Sequence, residues 1–384
     1  MSGPSAPLRP RRQPRGTRSR SIRHRLAFGF AALLLHVADT RAGEPPVLNV
    51  YNWADYIGRT TLADFEAETG IRVNYDTYES SEVVEAKLLA GSTGYDVVGH
   101  GGQYSARLIP LGIFRPLDRS RLPNWKHLDP GVLQVLAEYD PGNVYAAPYM
   151  WGSTGFAYNV DMVRERIPDA PVGSGALIFD PRLMAKLADC GVSFLDSPTD
   201  VIPMALVYLG HDANSTDPEH LRAAEALLQA VRPYVKYFSS ARMLNDMPNR
   251  EVCVAMSWSG DYATARGRAA EAGIEIDLAY TVPREGSIFW FDGFFIPADA
   301  PHPENAHRFI DFVLRPDVIA KITNQTRYAN AVPAARPFME PEILADPAIY
   351  PTESVIRLLQ LTRNLPPKTE RLRTRAFARV KAGM

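Results

Sequence analysis

Three short stretches of this chain set a carboxylate beside aromatic rings: Trp53–Asp55–Tyr56, Trp258–Asp261–Tyr262 and Trp290–Phe291–Asp292. Tyr328, in the run RYANA, adds a further ring, and Asp200 follows FLDSPT at a predicted helix start. Taken singly, each has an ordinary explanation. Trp and Tyr at strand ends usually pack in a core, and Asp200 or Asp261 could cap a helix. The repetition points to chemistry that wants carboxylates among aromatic faces. The eight histidines are scattered, and His302 and His307 lack ligand-like spacing, so a metal site is not indicated. No G-x-S-x-G and no local Cys–His pattern marks a nucleophile. Two chemistries fit. A carboxylate pair could cleave a glycoside while aromatics stack on the sugar. Alternatively, the carboxylates would pair with ammonium groups, while aromatic faces attract the cation by about 0.5–2 kcal/mol each. Two such ends facing each other would measure a diamine by its length.

The elements that must position these groups follow from hydrophobic patterning. VLNVYN reads as a buried strand, RTTLADFEAETG as a helix ending at Gly70, and IRVNYDTY as a second strand. SSEVVEAKLLAGS reads as a helix capped by Ser80 or Ser81, and YDVVG as a third strand. This alternation predicts a parallel α/β sheet with right-handed crossovers. Ligands of such sheets sit at the carboxyl ends of strands, where NWADY lies. Around YAAPYMWGSTGFAYNV the pattern becomes two β-like runs separated by Gly152-Ser153-Thr154, read as a crossing between lobes. Helices are predicted near residues 181–190, 199–209 and 217–230, with GVSFL and EVCVAMSW as strands and GDYATARGRAAEAG as a helix. IEIDLAYTVP and SIFWFDGFFIP read as strands returning to the first lobe, followed by helices over 303–314 and 316–324.

Charge and cysteines bound the remaining choices. Eight arginines and no acid occupy residues 1–25, followed by the apolar run Leu26–Ala38. That run is too short to span a bilayer and suits a signal peptide; cleavage is predicted after Ala42, with Ala38 as the second choice. Nine of the 42 lysines and arginines and one of the 43 acids, Asp39, lie in residues 1–42. The remaining chain carries 33 bases against 42 acids, a net charge of about −9, which disfavours nucleic acid and suits cationic ligands. The two cysteines, Cys190 and Cys253, form an even pair that in an exported protein suggests a disulfide.

Longer stretches add a resemblance. YNWADYIG, LLAGSTGYDVV, APYMWGSTGFAYNVD, CGVSFLDSP, YLGHDANST, AMSWSGD, YANA and IYP are similar to the periplasmic polyamine-binding proteins of ABC transporters, above all the putrescine-binding ones, from about Val47 to Gly383. The resemblance implies a two-lobe periplasmic-binding-protein fold with a hinge and a ligand cleft between the lobes. Residues 43–150 plus 272–320 would form lobe 1, and 151–271 plus 321–384 lobe 2. It implies a monomeric, periplasmic solute-binding component that carries putrescine or a related polyamine to a membrane permease, without catalysis, cofactor or membrane insertion. Trp53, Tyr56, Trp258, Trp290 and Tyr328 would be aromatic walls, and Asp55, Asp200, Asp261 and Asp292 ammonium partners. The Cys190–Cys253 pairing also matches the family pattern. Four positions depart from it. Ala54 and Gly101 stand where hydroxyl residues are usual, Asp200 where Glu is usual, and Gly175 where Trp is usual, the last away from the pocket. The first three predict a roomier pocket that could admit a longer polyamine. His100 is expected in a loop. Two other readings compete: binding of a different amine-bearing solute with a sensing rather than a transport role, and an exported glycoside hydrolase.

Overall fold

The computed structural model describes residues 43–383, so the predicted leader and its cleavage site lie outside the described residues. The alternation read at the amino end forms as expected. β1 (Val47–Trp53), β2 (Arg72–Tyr78) and β3 (Val97–Gly101) pair in parallel with β1 central. The helix Thr61–Thr69 joins the first two strands and stops at Gly70, whose φ of 71° suits a residue without Cβ. The helix Ser81–Ala90 is capped by Ser80, whose hydroxyl accepts from the Val83 amide.

The remaining strands are β4 (Ala147–Asn159), β5 (Val192–Phe194), β6 (Val235–Phe238), β7 (Val254–Trp258), β8 (Leu278–Thr281), β9 (Ser287–Phe295), β10 (Ala329–Asn330) and β11 (Leu359–Leu361). The strand order is β2-β1-β3-β9-β4-β7-β5-β6, with β8 and β10 also on β4 and β11 on β9. β4 is the crossing. Its first half pairs with β9 and β10, and its second half, from Thr154, pairs with β7 and β8. Two large cores pack against these strands, one around Leu48, Val50, Phe65 and Phe309 that extends to Ala157 and Ala255, the other around Phe156, Phe179, Phe194 and Leu228. The architecture is the two-lobe α/β fold of periplasmic binding proteins.

Two local expectations change. The two runs around Gly152 are one unbroken strand of 13 residues. Gly152 fits inside it because the Trp290 ring occupies the space of a side chain; a Cβ there would lie 2.8 Å from Trp290 Cζ2. β8 does not return to the first sheet; it pairs antiparallel with Phe156–Asn159 of β4, and β9 alone makes the return, between β3 and β4. Short or half-exposed elements, β6, β10 and β11, carry too little pattern to be read in advance. The helix Pro367–Ala382 packs Phe377 and Val380 into the second core.

Cys190 and Cys253 form a disulfide with a Cα–Cα distance of 5.5 Å. The two residues precede β5 and β7, which pair in parallel, so the bond joins the amino ends of neighbouring strands. Among the described residues, no helix is long and apolar enough to cross a membrane.

Candidate functional site

The carboxyl ends of β1 and β7, the middle of β9 and the starts of two helices converge on one cavity of about 1040 Å³, its open mouth included. All nine residues singled out in the sequence line it: Trp53, Asp55, Tyr56, Asp200, Trp258, Asp261, Trp290, Asp292 and Tyr328. Parallel strands deliver side chains to one edge of a sheet, so residues distant in sequence meet there. The turn after β1 is held from below. Tyr149 Oη donates to the Tyr56 carbonyl at 2.6 Å, and Asn52 Nδ2 donates to the same oxygen at 3.3 Å.

The aromatic rings touch in sequence around the cavity. Trp53 meets Trp258 at 6.3 Å between ring centroids, Trp258 meets Trp290 at 6.3 Å, Trp290 meets Tyr328 at 5.5 Å, and Tyr328 meets Tyr56 at 5.1 Å. Trp53 comes from the first sheet and Trp258 from the second, so the chain of rings spans both lobes. Edge-to-face contacts of this kind hold rings in fixed orientations, leaving faces available to a cation or a methylene chain.

The four carboxylates differ in their surroundings. Asp292 is 7 % exposed and lies opposite Gly101 in the β3–β9 register. Burial pushes its carboxyl up to about 7, with the charge of Asp200 adding to the effect and the neighbouring Tyr56 hydroxyl opposing it. That hydroxyl has no partner meeting hydrogen-bond geometry among the described residues. Asp261 accepts from Tyr328 Oη at 2.6 Å. Burial pushes it also to about 7, Tyr328 opposing and the Asp55 charge reinforcing the rise. Asp200 lies in the first turn of the helix Pro198–Tyr208, three residues past the cap Ser197. Its carboxylate accepts from Thr154 Oγ1 at 2.6 Å, Ser197 Oγ at 2.5 Å and Trp258 Nε1 at 3.1 Å. Burial still raises its pKa against those three bonds. Asp55 is different: its side chain is 65 % exposed at the rim and pairs with Arg268 at 3.1 Å. Three acids thus share a desolvated, aromatic-walled space, and two are driven toward neutrality. A positively charged guest would reverse the penalty on each.

Three of the four positions marked as departures, Ala54, Gly101 and Asp200, line the same cavity. Ala54 is exposed at the rim, and Gly101 lies inside, where a Cβ would sit 3.4 Å from Asp292 Oδ1. Asp200 accepts from Thr154, Ser197 and Trp258. Gly175 lies apart, with a Cβ position 2.9 Å from the Tyr208 ring. His100 is not in a loop. It is in β3, fully buried, and burial depresses its pKa to about 3, so the ring is neutral. Residues that sequence reasoning passed over also line the cavity, among them Tyr78, Ser81, Glu82, Gln103, Tyr104 and Ser197. Ser81 and Glu82 read only as a helix start, and Tyr104 sits in GGQYSARL, where nothing marks it.

Comparison with known proteins gives one consistent family. The family described as bacterial extracellular solute-binding protein matches residues 60–352. The putrescine-binding periplasmic protein SpuD of Pseudomonas aeruginosa (strain UCBPP-PA14) is 45% identical over 362 residues, covering 93% of this chain and 99% of that protein. The putrescine-binding periplasmic protein PotF of Escherichia coli (strain K12) is 45% identical over 354 residues, covering 92% and 96%. Among solved structures, a putative spermidine/putrescine ABC transporter from Listeria monocytogenes superposes with a TM-score of 0.79 at 30% identity, covering 88% of this chain and 99% of that one.

Proposed function

This chain belongs to the bacterial extracellular solute-binding protein family, and from that membership we propose that it captures putrescine or a closely related polyamine for an ABC importer. The observation that carries the reading is the cavity in which Asp200, Asp261 and Asp292 lie among Trp53, Tyr56, Trp258, Trp290 and Tyr328. In this reading Asp261 and Asp292 accept the ammonium groups and regain their charge as they do so. The aromatic faces hold the methylene chain. Asp200, held by its three donors, fixes the Trp258 ring and adds a negative field. Asp55 acts at the rim, where an amine competes with Arg268 for it.

The binding protein acts in the periplasm and hands its ligand to a membrane permease, as a monomer. We assign the lobes by strand pairing: β4 is divided at Ser153–Thr154, and residues 272–281 go with the second lobe because β8 pairs there, so the return crossing falls between β8 and β9 rather than at residue 272. Ligand contacts from both lobes favour the closed arrangement over an open one.

Calorimetry on the purified chain with putrescine, cadaverine, spermidine, spermine, agmatine and a panel of amino acids tests the reading. Saturable binding of one or more polyamines, with no response to the amino acids, is the expected result. Binding of none of the amines would overturn it.

A further inference from the structure

A second pocket, of about 720 Å³ with its open mouth included, adjoins the first, and the two share Tyr104 and Glu82 in their linings. Tyr104 follows β3, on the short helix Gly102–Leu108, and is 7 % exposed. Its hydroxyl is hydrogen-bonded to Thr199 Oγ1, on the helix Pro198–Tyr208 that follows β5. Thr199 is bonded in turn to Ser197 Oγ at 3.1 Å, and Ser197 donates to Asp200. Two side chains pack against the ring. His100 stacks on it at 5.4 Å with planes 22° apart, and the Arg107 guanidinium lies 5.1 Å from its centroid. Arg107 is itself held by a two-pronged pair with Glu85. A ring fixed by a stack, a cation and a hydroxyl bond has little freedom to swing aside.

The charges differ on the two sides. The first cavity is lined by acids, whereas Arg107, Arg371 and Arg375 face the second, with Glu82 and Glu370. The geometry points to Tyr104, bonded across to Thr199, as the end wall of the amine cleft, the residue that sets the longest ligand the cleft accepts. This assignment rests on the amine-binding reading above. A chain longer than the cleft has to displace the ring and break its bond to Thr199. The opposition to long ligands at this end is therefore steric, since the acids Glu82, Glu370 and Glu85 offset Arg107, Arg371 and Arg375 there.

N-alkylputrescines of increasing tail length probe the wall, because a neutral tail tests the steric limit alone. The quantity read by calorimetry is the affinity for the longest tail divided by that for putrescine. In the unaltered chain this ratio is expected to fall at least tenfold as the tail lengthens. Tyr104→Ala should join the two cavities and raise the ratio at least tenfold over the unaltered chain. Tyr104→Phe, which keeps the ring, should leave the ratio within about threefold. Should Tyr104→Ala not fold, Tyr104→Leu is read the same way. An unchanged ratio in the folded Ala or Leu variant, or no fall in the unaltered chain, overturns the wall. Absence of any amine binding by the unaltered chain overturns the functional reading instead.

Discussion

At the scale of single residues, Asp292 and Asp261 concentrate the chemistry. Asp292 is buried and Asp261 half-buried, neither with a basic partner in contact, and each is pushed up to about 7 from an ordinary 3.8. The folded chain therefore binds more protons than the unfolded chain between those values, so their contribution to stability is present at low pH and is lost as pH rises toward about 7. Alkyl ammonium groups, with ordinary pKa near ~10, stay charged throughout. Amine binding, which needs ionised carboxylates, should tighten over the same window. We expect the melting-temperature rise caused by putrescine to be larger at pH 8 than at pH 5.5, and the double variant Asp261→Asn/Asp292→Asn to lose that difference. Equal shifts at both pH values in the unaltered chain would contradict it. Asp292→Asn alone should weaken polyamine binding more than tenfold by calorimetry, roughly 1.4 kcal/mol or more, since it removes a buried countercharge. Unchanged affinity would remove Asp292 from the site.

At the scale of elements, the helix Ser259–Glu271 shows how packing sets the site. Gly260 stands in its first turn, and a Cβ there would lie 2.4 Å from the Tyr328 ring. The absent side chain lets the ring rest on the helix and bring its hydroxyl to Asp261. Helix propensity alone favours Ala over Gly by about 1 kcal/mol, so it predicts that Gly260→Ala stabilises. The contact predicts the opposite: a melting point lowered by several degrees and amine affinity weakened at least fivefold, as Tyr328 is pushed off Asp261. The sign of the melting shift decides between them. β1, β2, β3 and their helices were legible from short β-like runs alternating with capped helical stretches, although β2 is mostly exposed and β3 buried throughout. Propensity and alternation failed at β4, where two glycines in one run look like a break, and at β8, whose partner is chosen by tertiary pairing with Phe156–Asn159.

At the scale of the whole molecule, the disulfide and the cleft occupy opposite ends of the same strands. Cys253 precedes β7, and Trp258 closes it. Closing a loop across 63 residues contributes on the order of 4 kcal/mol in the chain-entropy model. Cys190→Ala/Cys253→Ala should therefore lower the urea midpoint clearly while leaving the ranking of amine ligands as it was. A changed ranking would mean that the bond helps shape the cleft.

The class of element at most positions, the acidic and aromatic character of the cavity and nine of the residues that line it were legible in the sequence. These are local properties: periodicity, cap chemistry and residue type survive without knowledge of partners. Tertiary structure alone decided which carboxylates are desolvated and which is already paired. Asp55 and Asp261 sit in similar sequence surroundings, yet one faces solvent and Arg268 while the other is covered by Tyr328. It also made His100 a neutral core residue behind Tyr104, and gave Asp200 three donors from Thr154, Ser197 and Trp258. The reason is that desolvation and pairing depend on atoms far away in the chain, which no local pattern encodes.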